Sequence, residues 1–164
     1  MDRKSSAGRR MIALLLAGCA IVPATTAGAS ADPCSLLSTT DLGKVLAQSF
    51  DGPSKSTAPR PFANTAEGAD CTYTGSNGSR SQKLLFRIYT DPSPTAAADL
   101  FARLGMFYSP QTPVSGLGDK AYFDRNHGLH VLAGSTRFFL ALDAVTPATD
   151  DQLRGLGSLV VGRL

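Results

Sequence analysis

The chain carries three cysteines, Cys19, Cys34 and Cys71, and its first residues decide which of them can take part in folding. It opens 1-MDRKSSAGRR-10, where Arg3, Lys4, Arg9 and Arg10 face a single acid, Asp2. An apolar run from Met11 to Val22 follows, then small residues ending Ala29-Ser30-Ala31. A basic start, a short apolar core and an A-x-A end form the pattern of a secretory signal peptide. The apolar run is about 12 residues and is stopped by Pro23, whereas a membrane-spanning helix needs roughly 20. The segment reads as an export signal rather than a stable membrane helix.

Two cleavage sites compete. Leu16-Ala17-Gly18-Cys19 fits a lipobox, in which the peptidase cuts before a cysteine whose thiol has received a lipid. This preferred reading makes 1–18 the signal peptide, Cys19 the lipidation site and membrane anchor, and 19–33 a flexible tether to a globular domain over 34–164. The alternative, cleavage after Ala31, makes 1–31 the signal, discards Cys19 and leaves a soluble periplasmic or secreted protein. The Arg9-Arg10 pair is also a weak twin-arginine candidate. Cys34 and Cys71 survive either route, in a compartment where disulfides persist. A bridge between them would close a loop of about 37 residues, and loop-closure entropy values it at roughly 3–4 kcal/mol. The alternative is a pair of buried thiols.

Removing the leader changes the charge. Residues 32–164 hold 12 Lys and Arg against 12 Asp and Glu, so the apparent basicity belongs to the export signal. A formally neutral domain argues against a nucleic-acid partner, which needs a basic stripe to neutralise phosphates. The remaining length suits one domain with its own core.

Ser38-Thr39-Thr40-Asp41 is a capping pattern with Leu37 and Leu42 placed as a hydrophobic staple, and it predicts a first helix ending near Gln48. The segment 51–70, with three prolines, reads as a long loop, functional or mobile. Cys71-Thr72-Tyr73-Thr74 alternates as a strand does, a turn spans Gly75 to Ser79, and Leu84, Phe86 and Ile88 mark one face of a returning strand. Asn77-Gly78-Ser79 also matches a glycosylation sequon, which the turn accounts for. Ser93-Pro94 starts a second helix with proline at its first position. Phe107 and Tyr108 are expected to pack beneath its end. Three short strands, 121–123, 129–133 and 138–143, precede a last helix opened by Thr149-Asp150-Asp151-Gln152. The predicted fold is α+β, in the order α-β-β-α-β-β-β-α: a mostly antiparallel sheet of about five strands with helices packed on one face.

Little in this chain points to catalysis. Gly116-Leu117-Gly118-Asp119-Lys120-Ala121 fits G-x-G-x-x-A, but that fingerprint has meaning only between a strand and a helix, and here a strand follows, so it reads as a turn. His127 and His130 stand three apart with no Glu or Cys nearby to complete a metal site, though Asp124 could approach; no metal and no cofactor are expected. No G-x-S-x-G elbow exists, and a triad assembled by geometry from either histidine, an Asp and a Ser is left for the tertiary structure. The chain is read as a non-enzyme, with an unrecognised hydrolase as the lesser alternative. What remains is binding of an envelope protein or a small ligand, for which Tyr73, Arg87, Tyr89 and Tyr122, on a sheet face turned away from the helices, are the candidate surface.

The combination 32-DPCSLLSTTDLGKVL-46, a lone 71-CTY-73 and 113-PVSGLGDKAYF-123 resembles small bacterial envelope lipoproteins of unknown function. The resemblance covers most of 32–164 and implies a Cys34–Cys71 disulfide and an α+β fold, with no catalytic residue to carry over. This chain departs from that pattern in having an A-x-A site that competes with its lipobox.

Overall fold

The computed structural model describes residues 32–63, 65–77, 80–143 and 148–164. The signal segment, Cys19 and the tether as far as Ala31 lie outside the described residues, as do Gly78 and Ser79 of the hairpin tip.

A short 3-10 turn, Pro33–Leu36, leads into helix α1, Thr39–Leu46. Its start is a complete capping box. The Ser38 hydroxyl accepts from the Asp41 N–H at 3.1 Å, and the Asp41 carboxylate accepts from the Ser38 N–H at 2.8 Å. Two otherwise unpaired backbone N–H donors at the helix start are satisfied together. Strands β1 (Ser49–Phe50), β2 (Ser54–Ala58), β3 (Gly68–Asn77) and β4 (Arg80–Thr90) follow. Helix α2 (Pro94–Phe107) crosses to β5 (Thr112–Val114), β6 (Lys120–Phe123), β7 (Leu129–Ala133) and β8 (Thr136–Asp143), and α3 (Asp150–Val161) closes the chain.

Every pairing is antiparallel, in the order β1-β3-β4-β8-β7-β6-β5, with β2 beside β1 along the outer edge of β3. The fold is thus α+β with a largely antiparallel sheet, but among the described residues the sheet has eight strands rather than five, and the element order changes accordingly. The three added strands are all edge or near-edge pieces. β2 lies inside the segment read as a loop; four of its five residues are exposed, so it lacks the apolar alternation by which strands are recognised. Its pairing is a backbone event, and proline-rich or polar sequence is common at edges.

A second correction concerns the helices, which do not share one face. Alternate residues of the central strands, such as Phe86, Leu129, Val131 and Leu140, point into a large core covered by α1 and α3, which includes Leu42, Leu153 and Leu156. α2 lies on the opposite face, where Ala97 and Phe101 pack on Tyr122 and Leu132. The reason is in the strands themselves: β6 and β7 are buried on both sides and β8 is half-buried on its second side, and a second buried face needs its own cover. Gly157 lets α3 approach closely, since a Cβ there would come within 3.0 Å of Leu129 Cδ2.

The disulfide joins Cys34, in the 3-10 turn, to Cys71 of β3. Beside it, the Tyr73 hydroxyl donates to the Leu37 carbonyl at 2.7 Å and lies 3.1 Å from that of Cys34. Burial holds the Tyr73 phenol protonated, its pKa pushed up to about 12. The bridge and the hydroxyl fasten the chain start to the sheet at one place. Replacing both cysteines by serine is expected to lower unfolding free energy by about 3–4 kcal/mol, measured by denaturant melts. A loss below about 1 kcal/mol would mean that the 37-residue loop is already closed in the unfolded chain.

Candidate functional site

The face that carries α2 holds the polar chemistry of the molecule. The strand register sets one row of residues across it: Asp70, Arg87, Phe139, His130 and Tyr122 stand side by side on β3, β4, β8, β7 and β6. α2 covers the Tyr122 end of this row. Over its middle lies a cleft of about 350 Å³ between the loop 59–62 and the C-terminal end of α2. Arg87, Tyr89, His130 and Phe139 line it from the sheet, Phe62 from the loop, and Phe107 and Tyr108 from the end of α2.

The walls are held in place by specific contacts. The Tyr89 hydroxyl donates to the Pro59 carbonyl at 2.7 Å, which fixes the loop to the sheet. Arg60 pairs with Glu67 at 2.7 Å. The Arg103 guanidinium sits 4.3 Å above the Phe62 ring, and Phe62 faces Phe107 at 5.9 Å between ring centres. Beneath Tyr89, Arg137 forms a buried bidentate pair with Asp91 and packs 5.0 Å from the Tyr89 ring.

His130 is the centre of the site. Its ring stacks on Tyr122 at 4.7 Å and meets Tyr108 and Phe139 at 4.6 Å each. Its Nε2 lies 3.0 Å from Asp124 Oδ2. The other Asp124 oxygen accepts from the backbone N–H groups of Asn126 at 2.8 Å and Gly128 at 2.9 Å. Gly128 has to be small: a Cβ would come within 2.4 Å of Phe139 and 3.0 Å of the Asp124 carboxylate. Burial alone would raise the pKa of Asp124, but the His130 hydrogen bond and the two backbone donors bring it below the ordinary carboxylate value. An ionised carboxylate only accepts, so Nε2 carries the proton of the imidazole. Burial in turn depresses the His130 pKa, against the pull of Asp124, and the ring is neutral at pH 7. Nδ1 therefore presents a lone pair, and no described residue hydrogen-bonds it.

Chemically this is an oriented imidazole with no nucleophile beside it among the described residues. Among the described residues no Ser, Thr or Cys hydrogen-bonds His130, so a triad is not assembled. His127 stands in the β6–β7 turn with a φ of 60°, 3.7 Å from Asp150, and shares no site with His130. No cluster of three or more His, Cys, Asp or Glu placed to hold a metal ion is found among the described residues. Nor is any described helix long and apolar enough to cross a membrane.

The four surface residues read from the sequence do not form one surface. Arg87 and Tyr89 line the cleft. Tyr122 belongs to the same row but is buried under α2, with a hydroxyl that has no partner among the described residues. Tyr73 opposes Leu84 and is fully buried on the other face, in the main core. Phe107, expected to pack beneath its helix, is instead 67% exposed at the mouth of the cleft. Sequence reasoning missed Phe62, Phe139 and the Asp124–His130 pair as site members. The only signal for the last was Asp124 standing six residues from His130 across a tight turn.

Comparison with known protein families, curated proteins and solved structures returned no match, so the reading of this site rests on its own chemistry.

The His130 assignment makes a pH prediction. Its folded pKa lies below the ordinary histidine value of about 6.5, so below about pH 6.5 the unfolded chain binds a proton that the folded chain does not. The contribution of His130 to stability is complete above that value and is lost as pH falls toward the folded pKa, with a slope of at most about 1.4 kcal/mol per pH unit. Long-range ¹H–¹⁵N NMR should show the Nε2–H tautomer at pH 7 and a titration midpoint below 6.5. A midpoint above that, or the Nδ1–H tautomer, would contradict the assignment.

Proposed function

We propose that this protein is an exported, lipid-anchored envelope protein that acts as a non-catalytic binding module, with the cleft between the loop 59–62 and α2 as its ligand site. The observation that carries this reading is the state of the charged groups around the cleft. Arg60 is paired with Glu67 and Arg87 with Asp70, and Asp124 orients the neutral His130 ring, so the polar groups around the cleft are held in fixed positions. Aromatic walls with a few convergent polar groups are the usual composition of a small-molecule site. The export half rests on the leader sequence and is supported by the Cys34–Cys71 bridge, a bond suited to an oxidising compartment. The anchor rests on Leu16-Ala17-Gly18-Cys19. The family of small bacterial envelope lipoproteins that the chain resembles is in keeping with export and an anchor, and no activity is attached to it.

A second reading has one specific observation in its favour. The Asp124–His130 pair is the orienter and base of a hydrolase, and a water or a substrate hydroxyl at Nδ1 would supply the missing member. The binding reading is preferred because no Ser, Thr or Cys among the described residues completes that set.

Two measurements test the proposal. Mature protein from the membrane fraction of its source cells should have the intact mass of a chain starting at diacylated Cys19. A start at Asp32 without lipid would remove the anchor. The mature protein, incubated with an organic extract of the cell envelope, should then retain a compound in native mass spectrometry and release it with unchanged mass. The Phe107→Asp variant should lose that retention, because the substitution places a charge at the mouth of the cleft. Release of a cleaved product would favour the hydrolase instead.

A further inference from the structure

We infer that the cleft selects a neutral, planar aromatic molecule bearing an O–H or N–H donor, held by stacking on its walls and by donation to His130 Nδ1. This inference rests on the cleft being a ligand site and adds the chemical class of what it takes.

Three features narrow the class. The first is charge. The cationic side chains lining the cleft, Arg60 and Arg87, already have carboxylate partners, Glu67 at 2.7 Å and Asp70 at 2.7 Å through both guanidinium arms. An anionic ligand would have to compete with Glu67 or Asp70, and a cationic one would be placed beside two guanidinium groups. A neutral ligand meets neither penalty.

The second is the shape and nature of the walls. Phe62, Tyr89, Phe107, Tyr108, His130 and Phe139 all present rings to the cleft, and Leu104 is its one branched aliphatic lining residue. Ring pairs add about 0.5–1.5 kcal/mol beyond the area they bury, a term an alkyl chain does not collect. A volume of about 350 Å³ lies near the lower end of the range for small-molecule sites, which suits one or two fused rings.

The third is hydrogen-bond polarity. Asp124 takes the Nε2 proton and is itself held by the Asn126 and Gly128 N–H groups, so the tautomer is set from below. Nδ1 is left as an acceptor on a ring that lines the cleft. The arrangement has a direction: a donor on the ligand satisfies it, whereas an ether or carboxylate oxygen at the same point would face a lone pair. Asp124 is a positioning residue in this scheme, and His130 makes the contact.

Four probes against the full mature protein, followed by calorimetry and by the His130 ¹⁵N resonances, test the inference. 1-Naphthol has the rings and the donor, 1-methoxynaphthalene the rings alone, 1-naphthoate the rings with a charge, and 1-decanol the donor on an aliphatic chain. 1-Naphthol should bind most tightly, by about tenfold over the methyl ether, the factor expected for an unsatisfied acceptor. It should also shift the Nδ1 resonance. Phe107→Ala, at an exposed position and therefore compatible with folding, should weaken naphthol by about fivefold through lost stacking. Equal binding of naphthol and its methyl ether would overturn the role of Nδ1. Preference for naphthoate or decanol would overturn the ligand class and leave the binding reading standing. Failure of all four probes while a compound is still retained from envelope extract would also overturn the class alone; silence in both experiments would remove the binding reading itself.

Discussion

The ladder between β4 and β8, running from Lys83 opposite Asp143 to Thr90 opposite Thr136, is the constraint on which the rest depends. It joins an N-terminal unit, in which β1 and β2 flank the β3–β4 hairpin, to the β5–β8 meander. Because side chains alternate along a strand, this one register decides both faces at once. Leu84, Phe86 and Ile88 go to the core under α1 and α3, with Phe138 and Leu140 beside them. Arg87 and Tyr89 go to the other face and meet Phe139 and Arg137. A slip of one residue would bury Arg87 in the main core and expose Phe86, so the apolar pattern strongly selects the observed pairing.

The two ends of the ladder are secured by different means. At the β3 edge, the Cys34–Cys71 bridge and the Tyr73 hydroxyl fasten the chain start to the sheet. At the β4 end, the Arg137–Asp91 pair, both side chains almost fully enclosed, ties β8 to the start of the α2 connection. A buried ion pair is costly to form but more costly to break, because removing one partner strands the other charge out of water. Such a pair lends geometric definition to the floor under Tyr89, and Tyr89 in turn holds the loop that forms one wall of the cleft.

Much of this was legible from residue patterns. The Ser38 and Thr149 capping boxes, the proline at the start of α2 and the β7 strand were read directly, because caps and apolar alternation are local signals. The turn reading of the 116–121 glycine pattern was local too: Gly116 and Gly118 have φ values of 73° and 59° and lead into β6. β2 was not legible, since its side chains are polar and only its backbone is paired. The side taken by α2 was also hidden. An amphipathic helix announces that it has a buried face, but not which face of a two-sided sheet it covers.

The site shows the same division. From residue types alone came the expectation of an export address, a neutral net charge over 32–164 and a cysteine pair with one partner each; these depend on composition and short spacing, which the linear chain contains. That Tyr73 belongs to the core while Tyr89 belongs to a cleft depends on strand register, a pairing between residues far apart in the chain. Likewise, nothing local places Phe62 opposite Phe107, and the short turn between Asp124 and His130 sets that pair only once β6 and β7 are paired. The turn at 124–128 and the packing of α2 against the loop 59–62 create those contacts. The chain by itself determined most of its elements, through caps and periodicity; tertiary structure alone decided which polar groups meet, because that meeting requires the sheet to be closed first.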